Sequence, residues 1–162
     1  MSEEFKELVR RILAACEGKR FTRTSEMAFH DQLEWCLVKA GFDYAKMVKF
    51  DDTEQWNARI IERSPDKPAT WRFSRERRLG AEDRLDFFCS DAPPDYFVGG
   101  APGFAIEVKL EGGLEKHLRQ IKRYARSDIV LGVVLIAMRP HEMPETLNGK
   151  PVVCLNFAPK CL

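Results

Sequence analysis

Three charged residues stand in otherwise apolar segments of the second half of the chain. Glu107 and Lys109 lie two residues apart in "FAIEVKL" (104–110), and Asp86 lies in "DRLDFFC" (83–89). Successive side chains of a β-strand point to opposite faces of the sheet. Glu107 and Lys109 therefore share one face of a predicted strand. Either they form an incidental ion pair on a solvated face, or they are placed there to carry out chemistry.

The other residues of these two segments follow the same alternation. One face of the first strand is entirely apolar, being formed by Phe104, Ile106, Val108 and Leu110. In the second strand we expect Asp86 to share its face with Arg84. Leu85 and Phe87 would then take the opposite face. Aspartate is disfavoured in strands and is seldom buried without a partner, so its position in this strand needs an explanation.

An acidic residue on each of two neighbouring strands is the pattern of a metal site. Neighbouring strands lie about 5 Å apart, so the carboxylates of Asp86 and Glu107 could share a divalent cation. Hard oxygen ligands of this kind suit Mg²⁺ or Mn²⁺. Beside them, Lys109 could orient or help to activate a water molecule, or stabilise charge on a phosphoryl group during its transfer.

The surrounding segments predict the elements that position these residues. Apolar residues at helical spacing indicate helices at 3–16, 26–40 and 114–127. The run 129–138 is apolar on both faces, as is typical of a central strand covered by helices. Further strands are predicted at 71–79 and 152–157. The strand–helix–strand unit that begins at 104 implies a right-handed crossover and an α/β sandwich.

The ordered set "RLDFF", "FAIEVKL" and "RQIKRYA" resembles the PD-(D/E)xK nuclease superfamily, which has the restriction-endonuclease-like fold. The resemblance covers roughly residues 24–157 and is most specific over 80–157. Small phage and prophage nucleases of the RecB-like and resolvase-like branches are the most similar. Leu85 stands where the name-giving proline of the motif would be. The resemblance implies a three-layer α/β sandwich, with helices on both sides of a mixed central sheet and a strand–helix–strand crossover after the E-x-K strand.

The resemblance also implies roles for particular residues. Asp86 and Glu107 match the metal-binding acids, and Lys109 matches the lysine that positions or deprotonates the attacking water. Gln120 and Tyr124 match the Q-x-x-x-Y of RecB-like members, in which the glutamine supports the active site and the tyrosine packs near it or approaches the substrate backbone. The two residues are four apart and so share one helix face. Mg²⁺ or Mn²⁺ is the implied cofactor.

The family usually adds a further glutamate from an early helix. Glu26 is the best match to that third metal ligand here, and Glu34 is the alternative. His30, on the same helix, could support the site or contact the substrate, although a histidine on a mostly apolar helix is more often structural. Glu76 could hold a metal, but an ion pair with a neighbouring arginine is the simpler interpretation.

Basic residues suggest a polyanionic partner, for which DNA is the expectation. The predicted nucleic-acid contacts are Lys116, Arg119, Lys122, Arg123, Arg126, Arg77 and Arg78. Phosphate contacts from such side chains provide affinity without sequence information. A solvated helix face would also be charged, which explains part of this set. The net charge of the whole chain is only +1, so contact with a nucleic acid would use local patches.

Length and composition favour one globular domain spanning 1–162. Hydrophobic residues make up 44% and charged residues 31% of the 162 positions, which is ordinary for a soluble protein. We interpret 1–20 as an extra N-terminal helix and 43–70 as an insertion relative to the family. Five cysteines without CxxC or metal-ligand spacing predict reduced thiols in the cytoplasm of a bacterial or phage-infected cell. No segment is long enough to suggest contact with a membrane.

These observations predict a divalent-metal-dependent deoxyribonuclease that acts in phage or prophage DNA replication, recombination or repair. A homodimer is plausible because a domain of this size has little surface with which to enclose a duplex. The alternative is a module on the same fold that binds nucleic acid or protein without catalysis. Retention of all of Asp86, Glu107 and Lys109 argues against that alternative.

Overall fold

The computed structural model describes residues 1–21, 25–49, 56–62, 71–79, 83–93, 97, 100–139 and 141–157. Over these ranges it contains one mixed sheet of eight strands in the order β2-β1-β3-β4-β5-β6-β8-β7. The strands are β1 Phe42–Lys49, β2 Trp56–Glu62, β3 Trp71–Arg75, β4 Phe87–Ser90, β5 Gly103–Lys109, β6 Val130–Ala137, β7 Thr146–Leu147 and β8 Lys150–Asn156. The predicted α/β class with a mixed central sheet is therefore confirmed.

Helices cover both faces of this sheet. The helices of the described ranges are α1 Glu3–Cys16, α2 Glu26–Lys39 and α3 Leu114–Tyr124. Ser2 and Ser25 begin α1 and α2, because each side chain accepts a hydrogen bond from a backbone N–H of the first turn. The first two helices pack together on one face of the sheet, and α3 lies on the other, which gives three layers. None of the described helices is both long and apolar enough to cross a membrane.

The middle of the sheet has the alternation that the sequence predicted. Phe104, Ile106 and Val108 of β5 pack in one core with α1 and α2. Ala105, between them, packs in the other core with α3. The parallel strands β5 and β6 are joined through α3, so the strand–helix–strand unit is present. Every residue of β6 except Leu131 is buried, as predicted for a central strand.

The chain departs from regular strand geometry just before β4. Glu76 has a left-handed backbone conformation, with φ 54°, and its N–H bonds to the carbonyl oxygen of Asp86. Beyond this point Arg78 and Arg84 form only an isolated bridge. Strict alternation is lost here. Leu85 packs in the core beneath α3, whereas Phe87 packs in the core beneath α1 and α2. The prediction that Leu85 and Phe87 share a face was therefore wrong, because the chain bends at Asp86 between them and the strict alternation of a strand does not apply across that bend.

The segment interpreted as an insertion contributes to the same sheet. Strand β1 pairs in parallel with β3 and antiparallel with β2, so it extends the sheet beyond β3 rather than forming a separate unit. Residues 50–55 and 63–70 of this segment lie outside the described residues. At the N-terminal end of the chain, α1 contributes Phe5, Leu8 and Ile12 to the core that it shares with α2. The extra N-terminal helix is therefore part of the domain's packing.

One glycine is required where β4 and β5 come together. A Cβ atom on Gly103 would lie 2.3 Å from the carbonyl oxygen of Cys89 and 2.7 Å from the ring of Phe88. Neither position is compatible with the van der Waals radii of these atoms. Because the first contact is with backbone, any larger residue at 103 would push the two strands apart. Asp86 directly precedes β4 and Glu107 lies on β5, so Gly103 also fixes the spacing of the strands that carry them.

Candidate active site

Glu107 is the centre of a cluster of polar side chains buried between β5 and α3. Its side chain is 1% exposed. Its Oε1 accepts a hydrogen bond of 2.5 Å from Nε2 of Gln120 and lies 2.6 Å from Nζ of Lys109. The hydroxyl of Tyr124 lies 3.1 Å from Oε2. Glu107 and Lys109 thus form a buried ion pair rather than part of a solvated face.

Asp86 lies beside this cluster, on the residue that precedes β4. Its Oδ2 accepts a hydrogen bond of 2.8 Å from the backbone N–H of Val108, the residue between Glu107 and Lys109. The same oxygen lies 3.5 Å from Nε2 of His30, which is buried on α2. The backbone of β5 therefore holds one oxygen of the Asp86 carboxylate beside Glu107 and Lys109.

The two carboxyl groups have pKa values shifted in opposite directions. Burial raises the pKa of Glu107 to about 7, and the negative charge of Asp86 adds to this shift, while Lys109 opposes it. Burial also favours the neutral form of Asp86. There, however, the His30 ring, the Val108 N–H and the charge of Lys109 together lower the pKa below its ordinary value. Asp86 is thus the stable anion of the pair.

Lys109 is the cation of the cluster. Burial alone would lower its pKa, but the surrounding carboxylates, of which Glu107 has the largest effect, raise it above the ordinary value. Oε1 of Glu26, at the start of α2, lies 3.9 Å from Nζ of Lys109. The ammonium group therefore keeps its proton at neutral pH, and it connects the β5 carboxylate with the only early-helix carboxylate that contacts the cluster among the described residues.

Helix α3 supplies the two groups that support Glu107. Gln120 and Tyr124 lie one turn apart, and the amide of Gln120 also donates to the tyrosine hydroxyl. That hydroxyl lies 2.9 Å from the carbonyl oxygen of Arg84, so its one proton is given either to Arg84 or to Glu107. Burial raises the pKa of Tyr124. The hydroxyl is therefore neutral and connects α3 to the segment before β4.

The donor atoms of this cluster suit a hard divalent cation. Asp86 and Glu107 offer carboxylate oxygens, which Mg²⁺ and Mn²⁺ prefer. The part of the chain that the structure describes contains no group of three or more His, Cys, Asp or Glu side chains that could hold a metal ion. Mg²⁺ commonly uses only one or two protein carboxylates and fills its other positions with water and substrate phosphate. Nε2 of His30 is buried and has no hydrogen bond with the part of the chain that the structure describes, so a ligand beside Asp86 would find a partner there.

Two other predicted acids point away from this cluster. Oε2 of Glu34 lies 2.8 Å from Nη1 of Arg75, which also binds Asp31 at 2.7 Å. Oε1 of Glu76 lies 3.8 Å from Nη1 of Arg84, and both side chains are at least half exposed. Of the early-helix and pre-strand acids, the structure therefore brings only Glu26 to Lys109, whereas Glu34 and Glu76 face arginines.

Most of the predicted phosphate contacts lie on the outer side of α3. The exposed residues are Lys116, Arg119, Lys122, Arg123 and Arg126, with Arg78 exposed beyond β3. Arg123 forms an ion pair of 2.7 Å with Asp83. Arg77 does not lie where the sequence predicted. Its guanidinium is buried, 4.3 Å from the centre of the Phe88 ring, and donates to the carbonyl oxygen of Phe97. Arg77 is enclosed between the rings of Phe88 and Phe97 and holds Phe97 against β4. Its charge is therefore not on the surface.

His117 is a buried polar residue that the sequence reasoning missed. It is 1% exposed, and its Nε2 lies 3.1 Å from the carbonyl oxygen of Glu111, whereas its Nδ1 has no hydrogen-bond partner among the described residues. Its ring contacts that of His141 edge-on, with the centres 5.0 Å apart. Burial lowers the pKa of His117. Its spacing of three and seven residues from Gln120 and Tyr124 places all three on one helix face, which is the signal that could have identified it.

Comparison of the chain with protein-family models, with curated proteins and with solved structures gave no significant match.

Proposed function

We propose that this chain is a divalent-metal-dependent nuclease of the PD-(D/E)xK type, with the restriction-endonuclease-like fold. One observation carries the proposal. Two carboxylates, Asp86 just before β4 and Glu107 on the adjacent β5, lie beside the largely buried Lys109, and their pKa values are shifted in opposite directions. Titratable groups with such divergent environments cluster at catalytic sites.

In this proposal each residue of the cluster has a distinct part. Asp86 and Glu107 hold Mg²⁺ or Mn²⁺, with Glu26 as the nearest further carboxylate. The bound ion supplies Lewis-acid stabilisation of the phosphodiester and a water of lowered pKa. Lys109 keeps its proton, so it orients the attacking water by donating a hydrogen bond and offsets charge on the phosphate. This supports a positioning role for Lys109 over the role of a base.

The groups on α3 hold this arrangement in place. Gln120 donates to the same Glu107 oxygen that Lys109 approaches, so it fixes the orientation of the carboxylate. Tyr124 ties the helix to the backbone of Arg84, two residues before Asp86. Hydrogen bonds of this kind hold the metal-binding carboxylates and the lysine in the precise positions that catalysis requires.

DNA is the substrate that the charge distribution supports. The exposed basic residues of α3 lie on the helix that carries Gln120 and Tyr124, so a phosphate backbone that reaches the catalytic cluster would run beside them. Such contacts give affinity that decreases steeply with salt. Arg77 is not among them because it is buried.

A cleavage assay tests this proposal. Purified protein is mixed with labelled single-stranded, duplex, flapped and junction DNA in Mg²⁺, in Mn²⁺ or in chelator, beside the Asp86→Asn and Lys109→Ala variants. Glu111→Gln is the matched control, since Glu111 is an exposed acid that follows β5 closely. We expect metal-dependent cleavage by the wild type and by Glu111→Gln, with rates at least about a hundredfold lower in the other two.

Two outcomes would contradict the proposal. Cleavage by Lys109→Ala at a rate within tenfold of wild type would place the activity elsewhere or in a contaminant. Absence of cleavage on every substrate, with DNA binding unchanged by the substitutions, would instead favour a binding module in which Glu107 and Lys109 are only an ion pair.

A further inference from the structure

The outer side of α2 carries an aromatic ring that the proposed chemistry does not use. Trp35 is 51% exposed, although tryptophan is usually largely buried. Its ring lines a cavity of about 380 Å³ between α2 and the segment that follows α1, together with Lys19, Arg20, Phe21 and Gln32. This cavity lies on the side of α2 that faces away from the sheet.

Cations surround this ring. Nζ of Lys19 lies 5.1 Å from the ring centre of Trp35, and Nζ of Lys39 lies 5.9 Å from it. Both distances are in the range of a cation–π interaction. Arg20 lines the same cavity. The aromatic surface is therefore accompanied by three positive charges, which are available to an anion that brings its own planar group.

The acids nearby do not cancel this charge. Asp31 lines the cavity, and Glu34 precedes Trp35, but both carboxylates bind the guanidinium of Arg75, at 2.7 and 2.8 Å. With Arg75 offsetting part of their charge, the three cations around Trp35 leave this surface net positive. A neutral apolar partner would gain nothing from that arrangement, whereas a polyanion would.

The cavity also lies within reach of the proposed catalytic edge. Trp35 and Glu26 are nine residues apart on α2, and at 1.5 Å per residue the two positions are roughly 14 Å apart along the helix axis. Met27, which is 58% exposed, and Asp31 lie eight and four residues before Trp35, so they share its side of the helix. Glu26 itself lies about half a turn around the helix from Trp35, so a nucleic-acid strand that contacts both would cross the exposed side chain of Met27, which adjoins Glu26.

We propose that Trp35 is a stacking platform for an unpaired base of single-stranded nucleic acid, and that Lys19, Arg20 and Lys39 bind the phosphates beside that base. This inference rests on the proposed function, because the catalytic edge is the reason for a nucleic acid to lie along α2. On binding, a base takes the place of an ammonium group over the ring, and the released ammonium pairs with phosphate. Only an unpaired base offers a free face, so the platform selects single strands, flaps or frayed ends over intact duplex.

Binding in chelator tests the platform without requiring cleavage. Fluorescence anisotropy of a labelled single-stranded oligonucleotide, and of its duplex, is measured with wild type, Trp35→Ala, Trp35→Phe and Leu131→Ala. Leu131 is an exposed apolar residue on β6 and serves as the matched control. We expect Trp35→Ala to weaken single-strand binding by between about fivefold and a hundredfold. Trp35→Phe should restore most of it, Leu131→Ala should behave as wild type, and duplex binding should change less than twofold.

Three results would overturn the inference. Unchanged single-strand affinity of Trp35→Ala is the first, and an equal loss for the duplex is the second. The third is displacement of the oligonucleotide by polyglutamate as effectively as by unlabelled DNA, which would indicate a surface for acidic peptides. Because Trp35 is half exposed, its variants should keep the wild-type melting temperature, and melting curves check this.

The platform and the nuclease can fail separately. If wild type cuts no DNA but loses single-strand affinity with Trp35→Ala, the platform stands and the proposed function falls. If wild type cuts DNA and Trp35→Ala cuts and binds single strands equally well, the nuclease stands and the platform falls.

Discussion

The two faces of β5 are buried to the same degree and have opposite chemistry. Val108 is 0% exposed and Glu107 is 1% exposed, yet the first contacts the aliphatic and aromatic core and the second contacts a lysine, an amide and a phenol. The Val108 face stabilises the fold by removing apolar surface from water. The Glu107 face places a charge where burial opposes it, as the raised pKa of Glu107 indicates.

This difference teaches that burial alone does not report stabilisation. A buried ion pair is weak evidence for stability, because desolvation offsets much of the attraction. The same arrangement is what a catalytic site requires, since fixed charges act strongly where water is excluded. We therefore expect substitutions on the two faces to separate activity from stability.

The largest effect should follow from removing the cation on the polar face. Lys109→Met keeps the length of the side chain and removes its charge, so cleavage should fall by about 10²- to 10³-fold, the range for loss of one preorganised electrostatic group. Circular dichroism should show an unchanged fold. Lys6→Met, an exposed lysine on α1 outside the proposed DNA contacts, serves as the control and should keep the wild-type rate. A loss below tenfold in Lys109→Met would remove the distinction between the faces.

The opposite result should follow from the apolar face. Ile106→Ala leaves a cavity among residues of the α1–α2 core, so the free energy of unfolding should fall by about 2–5 kcal/mol. Denaturant titration measures this change. The rate per folded molecule should stay near that of wild type at a temperature where the variant is still native. A large loss of rate without loss of stability would show that the two faces are not separable.

A stabilising effect is expected from neutralising Glu107. The pKa of its carboxyl group is raised from 4.5 to about 7 in the folded protein, so the unfolded chain loses this proton first. Stability therefore decreases as pH rises from about 4.5 to about 7. In chelator, Glu107→Gln should raise the melting temperature by several degrees at pH 8 and hardly at all at pH 4.5.

Added Mg²⁺ provides the control for this prediction. It should raise the melting temperature of the wild type but not that of Glu107→Gln, because the ion stabilises only the protein that binds it. Equal melting temperatures of the two proteins at pH 8 in chelator would show that burial does not oppose the charge of Glu107.

The smallest effect should come from the phenol that supports the polar face. Tyr124→Phe removes the hydroxyl that lies near Arg84 and Glu107, so stability should fall by about 1 kcal/mol. The same hydroxyl lowers the pKa of Glu107. Its loss should therefore move the titration of that group to higher pH, which NMR of a carboxyl-labelled protein would measure. A shift to lower pH would be incompatible with the geometry described above.

Much of the middle of the fold could be predicted from sequence because its signals are local. Alternation assigned Phe104, Ile106 and Val108 to one face, and the continuous apolar run identified β6 as a central strand. The supporting role of Gln120 came from the family resemblance, whereas helix periodicity indicated only that Gln120 and Tyr124 share one face of α3. Strand β5, helix α3 and strand β6 are consecutive in the chain, so predicting them required little knowledge of contacts between distant segments.

The errors arose where a distant contact decides the outcome. Nothing local to "RLDFF" indicates the bend at Asp86, on either side of which Leu85 and Phe87 pack in different cores. Arg77 was predicted to be exposed. The rings of Phe88 and Phe97 that enclose it come from later segments of the chain, so the sequence around Arg77 does not indicate its burial. Strand β1 was missed because it is defined by pairing with β2 and β3 rather than by a clear pattern of its own.

The tight approach at Gly103 has a consequence for the mutational tolerance of this chain. Where an added Cβ would meet the backbone of Cys89 at 2.3 Å, no rotamer change can relieve the clash. A library randomised at position 103 and selected for function should therefore return glycine almost exclusively. Gly149 has open space around its added Cβ and requires only a left-handed backbone, with φ 75°, so the same selection should accept asparagine there. Position 103, inside the sheet, would thus stay glycine through rounds of mutation and selection, whereas position 149, in the turn between β7 and β8, would accept other residues.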